Sequence, residues 1–192
     1  MQRKTNRERT ETTRARLLEA GRALFVSKGY ADTGTPEIVA TADLTRGALY
    51  HHFPDKQALF AAVVETEAAA VAAEIEQAVP MTLDAVSALL TGGEAYLSVM
   101  QQQGRARLLL LDGPSVLGRA RMDEIDDAHG NRTLREGLEA AMNAGALKPL
   151  PLDALTVALG AMFDRAVLAL IDGGDLRDQM AVLGAVIKGL QK

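Results

Sequence analysis

Helix-start and helix-stop signals crowd residues 35–55, and they leave room only for two short helices joined by a tight turn. Thr35 precedes Pro36, whose ring disfavours helical torsions in the residue before it, so Thr35 is placed as an N-cap. Pro36 then takes the first helical position, where its missing N–H costs nothing. Ile38, Val39 and Ala42 supply an apolar stripe, and Asp43 falls at the turn. Thr45 is a second N-cap, and Leu44 and Leu49 have the spacing of a hydrophobic staple. The second helix is expected from about Arg46 to Phe53, ahead of Pro54, with Gly47 allowing a close crossing over its neighbour. Asp55 caps a third helix that starts at Lys56.

The second helix opens on Thr45, Arg46 and Ala48, and a helix N-terminus attracts phosphate through its free N–H groups. Tyr50, His51 and His52 add hydroxyl and imidazole groups one turn later, and Lys56 adds a positive charge. Taken singly, Tyr50 suits a core tyrosine and paired histidines suit an ordinary surface. As a set they describe the recognition helix of a helix-turn-helix.

Together these residues resemble the TetR family of bacterial one-component regulators. The shared pattern is Gly29-Tyr30, Thr33, Ile38, Ala42, Leu44-Thr45-Arg46-Gly47, Tyr50, Phe53, Lys56 and Leu59. Arg16-Leu17-Leu18-Glu19-Ala20 and Leu24-Phe25 match the family's first helix, so the resemblance covers roughly the first third of the chain. It implies that Thr35, Tyr50, His51 and Lys56 hold phosphates, while Thr45 caps the recognition helix and adds a contact. Arg46 and Ala48 face the major groove, Arg46 as a bidentate partner for guanine; His52 reaches backbone or solvent. The chain departs from the family at Asp43, Val39 and Gly34, where glycine, alanine and Ser or Thr are usual. Aspartate tolerates a left-handed turn better than most residues. A hydroxyl missing at Gly34 leaves Thr33 and Thr35 to serve the phosphate.

Charge is divided unevenly. The chain carries a net −4, yet residues 1–56 hold ten Lys or Arg against seven Asp or Glu, and the remainder holds eleven against eighteen. Arg3, Lys4, Arg7, Arg9, Arg14 and Arg16 form a basic arm suited to following the DNA backbone or entering the minor groove, or else a solvated tail. There is no cysteine, hence no disulfide and no thiolate chemistry. The N-terminus is polar, without the pattern of a signal peptide, and the longest apolar runs are broken by Gly, Asp or Arg, so no run is expected to span a bilayer. A cytoplasmic protein is expected. No nucleophile with an adjacent base, glycine-rich phosphate loop or metal motif is present, which predicts neither an enzyme, a cofactor nor a metal site.

Strand signals are nearly absent, and the fold class is all-α: an N-terminal DNA-binding domain over 1–56, then a helical effector-binding and dimerisation domain over 57–192. Helices are expected over Lys56–Ala78, from a cap at Thr82 through Gln103 with a bend at Gly92-Gly93, and over Arg105–Leu111, stopped by Asp112-Gly113-Pro114. A further helical region spans Val116–Ala144, interrupted near Gly130 and closed by Gly145. Leu155, Leu159, Met162, Phe163, Ala166, Val167 and Leu170, then Leu183, Val186, Ile187 and Leu190, recur at helical spacing. The family resemblance implies that these last two helices pair with a second copy, though the same stripes suit one subunit's core. It also implies a small-molecule effector in the middle helices, with Tyr96, Met100, Arg107, Leu110, Met122 and Phe163 as candidate lining. Asp112, Asp164 and Arg165 are charged residues beside or within apolar segments. The implied function is a ligand-responsive, homodimeric repressor of a palindromic double-stranded DNA operator, with no membrane partner.

Overall fold

The computed structural model describes residues 5–192; Arg3 and Lys4 of the expected basic arm lie outside them. The described chain is helical, with no strand beyond a single antiparallel bridge between Leu147 and Gln191. It packs as two compact units. One comprises the residues through Thr66 together with Arg107–Arg119, and the other comprises Glu67–Ala106 with Ala120–Lys192. The boundary expected after Lys56 falls at the first residue of a long helix, ahead of this packing boundary.

In the first unit, α1 (Asn6–Lys28) opens on a capping box in which Thr5 Oγ1 accepts from the Glu8 amide and Glu8 accepts from the Thr5 amide. Its buried face is Leu17, Ala20, Leu24 and Phe25, the spacing of one helical stripe. The helix ends at Gly29, with φ +86. A Cβ there would lie 2.5 Å from an Arg107 guanidinium nitrogen, the mobile end of a long side chain that can give way, so it is the positive φ that favours glycine. Two short helices follow, α2 (Thr35–Thr41) and α3 (Arg46–His52), and then the first part of α4 (Lys56–Ala78). Ile38, Val39, Leu49 and Phe53 close the small core with α1, and Phe25, Tyr30 and Phe60 form an aromatic cluster with centroids 5.0–5.9 Å apart. As expected, Asp55 caps α4, its carboxylate accepting from the Ala58 amide at 2.7 Å.

The start of α2 differs from expectation. Gly34 is the N-cap, and its carbonyl accepts from the Glu37 and Ile38 amides; Thr35 is already helical and makes no capping bond. The bias that proline imposes on its neighbour is a preference, and here the backbone ladder begins one residue earlier. Residues 107–119 also differ. The expected stop at Asp112-Gly113-Pro114 is absent: a π-helical turn, Arg107–Asp112, runs directly into α6 (Gly113–Leu117), because a proline in the first turn forfeits no hydrogen bond. The Gln57 amide group donates to the Val116 carbonyl at 2.8 Å, fastening this segment to α4 within the same unit.

The second unit holds the rest of α4, α5 (Ala85–Met100), α7 (Arg119–Ala128), α8 (Gly130–Asn143), α9 (Leu152–Ile171) and α10 (Leu176–Gly189). Asp84, rather than Thr82, caps α5, since its carboxylate takes both the Val86 and Ser87 amides. The helix ends at Met100, short of Gln103, and runs without interruption through Gly92-Gly93. Gly93 instead admits the Phe163 ring, whose edge lies 2.7 Å from where a Cβ would sit. Gly93→Ala is therefore expected to displace a buried ring and cost about 1–3 kcal/mol, read by chemical denaturation. The long region after Val116 is divided by Gly118, with φ +79, and at His129, while Gly145 closes α8 as expected. Near the start of this unit the buried Arg105 guanidinium lies between Glu67 and Glu74 of α4 and donates to the Val99 carbonyl.

One expectation is overturned by α9. Over Leu152–Ile171 it is long and apolar enough by length and composition to cross a membrane, because Asp164 and Arg165 do not outweigh its Leu, Val and Ala content. One such helix is weak evidence, and here Leu159, Phe163, Val167 and Leu170 face the unit's own core.

Candidate nucleic-acid interface

The turn between α2 and α3 places α3 with its N-terminus capped and open. Thr45 Oγ1 accepts from the Ala48 amide at 3.1 Å, leaving the earlier amides of the helix free. The helix stops where Phe53 is drawn extended (φ −137, ψ 119) by the following Pro54. Arg46, on the first turn, lays its guanidinium 5.9 Å from the Tyr50 ring centre. Tyr50 is 44% exposed, which excludes the core reading of that residue. The Thr35 hydroxyl first, and then Arg46, hold its phenol below the ordinary tyrosine value. Thr35, Arg46 and Tyr50 thus form one polar group spanning α2 and α3.

His51 is exposed beside this group, with its ring 5.3 Å from that of His52. Partial burial, then the neighbouring charges of His51 and Arg14, hold His52 below the usual histidine value. Arg14 of α1 stands 5.4 Å from the Phe53 ring. Lys56 is more occupied than its position suggests: its ammonium donates to the Tyr30 and Thr33 carbonyls at 2.8 and 3.0 Å and sits 4.1 Å from the Tyr30 ring. Two of its three donors are therefore spent on the loop ahead of α2, leaving one. Thr33 cannot serve a phosphate. It is 1% exposed, and its hydroxyl is spent on the Gly29 carbonyl at 2.7 Å. In the basic arm, Arg7 pairs with Glu11 and Arg16 reaches Asp43.

The six residues expected to line an effector pocket do not share one unit. Tyr96 and Met100 of α5, Met122 of α7 and Phe163 of α9 belong to the second unit, whereas Arg107 and Leu110 lie in the π-helical turn of the first. Arg107 bonds there to Asp112 and to the Val26 carbonyl at the end of α1. Within the second unit, the Tyr96 hydroxyl donates to Asp164 at 2.6 Å and its ring meets Phe163 edge-on at 6.1 Å. Asp126 of α7 feels the charge of Asp164 and is pushed up to about 7, chiefly by burial and then by Asp164, Asp123 and Asp127. Asp164 was visible as a charge inside an apolar run. Its association with Asp126 and Tyr96, which brings three helices together, had no sequence signal, and neither did the burial of Arg105.

A helix-turn-helix presenting arginine, tyrosine and histidine around an open helix start, on an all-helical chain, defines a DNA-binding regulatory protein. Comparison with known proteins narrows this. Residues 17–63 match the family described as "Bacterial regulatory proteins, tetR family", and residues 86–190 match "Tetracyclin repressor-like, C-terminal domain". The transcriptional repressor AcnR of Corynebacterium diphtheriae is 27% identical over 176 residues, covering 90% of this chain and 88% of that protein. A crystal structure of a TetR-family transcriptional regulator from Pectobacterium atrosepticum is 30% identical, covers 98% of both chains and has a TM-score of 0.76. The structure of RolR in complex with resorcinol shares the fold, at 19% identity, a TM-score of 0.74 and coverage of 97% of this chain and 90% of that one. The chain belongs to the TetR family, whose members are DNA-binding transcriptional regulators and often repressors.

Proposed function

We propose that this chain is a cytoplasmic repressor that binds a palindromic operator as a homodimer and is released by a small-molecule effector. The observation that carries the DNA-binding part is α3: a Thr45-capped helix start with Arg46 laid beside an exposed Tyr50 that is tied to Thr35. In this reading Arg46 and Ala48 meet base edges, while Thr35, Thr45, Tyr50, His51 and the remaining donor of Lys56 meet phosphates. One seven-residue helix reads few bases, so useful selectivity calls for two copies on a two-fold site. An open apolar depression along α9 and α10, lined in part by Met162, Arg165, Val182 and Leu183, supports pairing through that face. In this reading the effector site lies in the second unit, around Tyr96, Met100, Met122 and Phe163. RolR, which shares the fold, holds resorcinol, and a ligand releases DNA when it binds the DNA-free form better.

The test is fluorescence anisotropy with duplex from upstream of the chain's own gene, beside a scrambled duplex, across several salt concentrations. The parent should bind selectively, with affinity falling as salt rises. Tyr50→Ala should weaken binding to both duplexes alike. Arg46→Ala should cost about 1–3 kcal/mol on the selected duplex and reduce selectivity, as loss of a bidentate base contact does. If both variants bind like the parent, α3 is not the reading helix.

A further inference from the structure

The turn ahead of α3 contains one residue with an unusual backbone. Asp43 has φ +49, the only positive φ at a non-glycine position among the described residues. The amides around it are used within the turn, Asp43 donating to Ala40 at 3.1 Å and Leu44 to Val39 at 2.9 Å. Arg16 of α1 approaches from a distant part of the sequence. One nitrogen of its guanidinium, Nη2, lies 3.2 Å from the Asp43 carbonyl oxygen and 3.1 Å from its carboxylate Oδ2. A single donor group thus grips both the backbone and the side chain of the turn residue, and a glycine would offer only the backbone half.

Arg16 is well placed to act as a fixed point. It immediately precedes Leu17, which is fully buried in the core of this unit, so its Cα is held by α1 packing. Asp43, by contrast, is exposed, and nothing buried restrains its side chain. Only Leu44 and the cap Thr45 separate Asp43 from Arg46, so the torsions at Asp43 act on the direction of the first turn of α3, alongside the packing of buried Leu49. Base readout through a planar guanidinium tolerates little angular error, whereas contact with a phosphate tolerates much more.

We propose that Arg16 is a positioning residue: its guanidinium latches Asp43, fixes the direction of α3 and thereby sets operator selectivity without contacting a base. The inference rests on the reading of α3 as the recognition helix. The bland competitor is that Arg16 is one more phosphate-binding cation of the basic arm, and the two make opposite predictions for Asp43.

The experiment uses the full-length protein with a duplex selected by the parent from a random-sequence library, and a scrambled duplex of equal length. Arg16→Ala, Arg16→Lys, Asp43→Gly, the Arg16→Ala/Asp43→Gly pair and Arg46→Ala are compared for affinity, salt slope and thermal midpoint. Asp43→Gly keeps a residue at ease with positive φ, so the turn survives if Arg16→Ala proves poorly folded. Expected is a roughly three- to fivefold fall in the ratio of selected to scrambled affinity for Arg16→Ala, the size that an exposed pair can carry, with the salt slope unchanged. Arg16→Lys should not restore the ratio, because an ammonium keeps the charge without the guanidinium's geometry. Asp43→Gly should lose selectivity in the same direction, and the pair should be no worse than Arg16→Ala alone. Equal weakening on both duplexes with a salt slope lower by about one, and no effect of Asp43→Gly, would make Arg16 a phosphate contact and overturn the latch. A fall in thermal midpoint with the selectivity ratio intact would overturn it too, as a purely structural bond. Selectivity lost in Arg46→Ala but kept in Arg16→Ala rejects the latch alone; selectivity kept in Arg46→Ala removes α3 from base reading, and the inference with it.

Discussion

Asp126→Asn is expected to raise the thermal midpoint at pH 8 by about 5–10 °C, while changing it little near pH 4.5. The reason lies in the environment of α7. Asp126 is partly buried, and the charges that act on it are Asp164, Asp123 and Asp127, all negative. Burial and this repulsion push its carboxyl from an ordinary 3.8 up to about 7. Asp164 is raised as well by burial, against the pull of the Tyr96 hydroxyl that donates to it. A carboxyl raised on folding holds its proton in the native state after the unfolded chain has lost it. Native stability from this group is therefore greatest below about pH 4, falls as pH rises from about 4 to 7, and is lost above that. A rise from 3.8 to about 7 is worth at most about 4 kcal/mol, and residual solvent contact brings the expectation to about 2–3 kcal/mol. Asparagine keeps the size and removes the charge. Thermal melts of parent and variant from pH 4.5 to 8.5 decide the matter: a constant gap between them across that range would mean that Asp126 is compensated by something other than a proton.

A negative charge on the last helix should have the second large effect. Val182 on α10 and Val157 on α9 are each 60% exposed, although both lie on helices whose other faces fill the core. In a two-fold interface the same patch meets itself, so Val182→Glu would bring a charge and its symmetry mate into an apolar contact. We expect a folded monomer by sedimentation, with operator affinity at least about 100-fold weaker because a monomer engages one half-site. A dimer that persists in Val182→Glu with unchanged affinity would move the interface elsewhere.

What could be read directly from the residues was local. The caps at Thr45 and Asp55, the stop before Pro54 and the closure at Gly145 follow from hydrogen-bonding groups and torsions within a few positions of one another. The expected cap at Thr82 gave way to Asp84, whose carboxylate takes two amides where a hydroxyl would take one. Elsewhere longer-range packing decided. Thr33 and Thr35 both offered a hydroxyl, but Thr33 is enclosed by the loop that Lys56 ties down, and Thr35 alone reaches Tyr50.

Sequence by itself determined the helical class, the helix-turn-helix and its family, because capping, periodicity and turn chemistry are written in neighbouring residues. Tertiary structure alone decided which distant side chains meet. It put Arg107 against the end of α1, Arg16 on Asp43, and Asp126 near Asp164 and Tyr96. Those meetings depend on how helices cross, and a crossing is set by the summed packing of both faces, including the small gaps at Gly29 and Gly93. No residue carries that information alone.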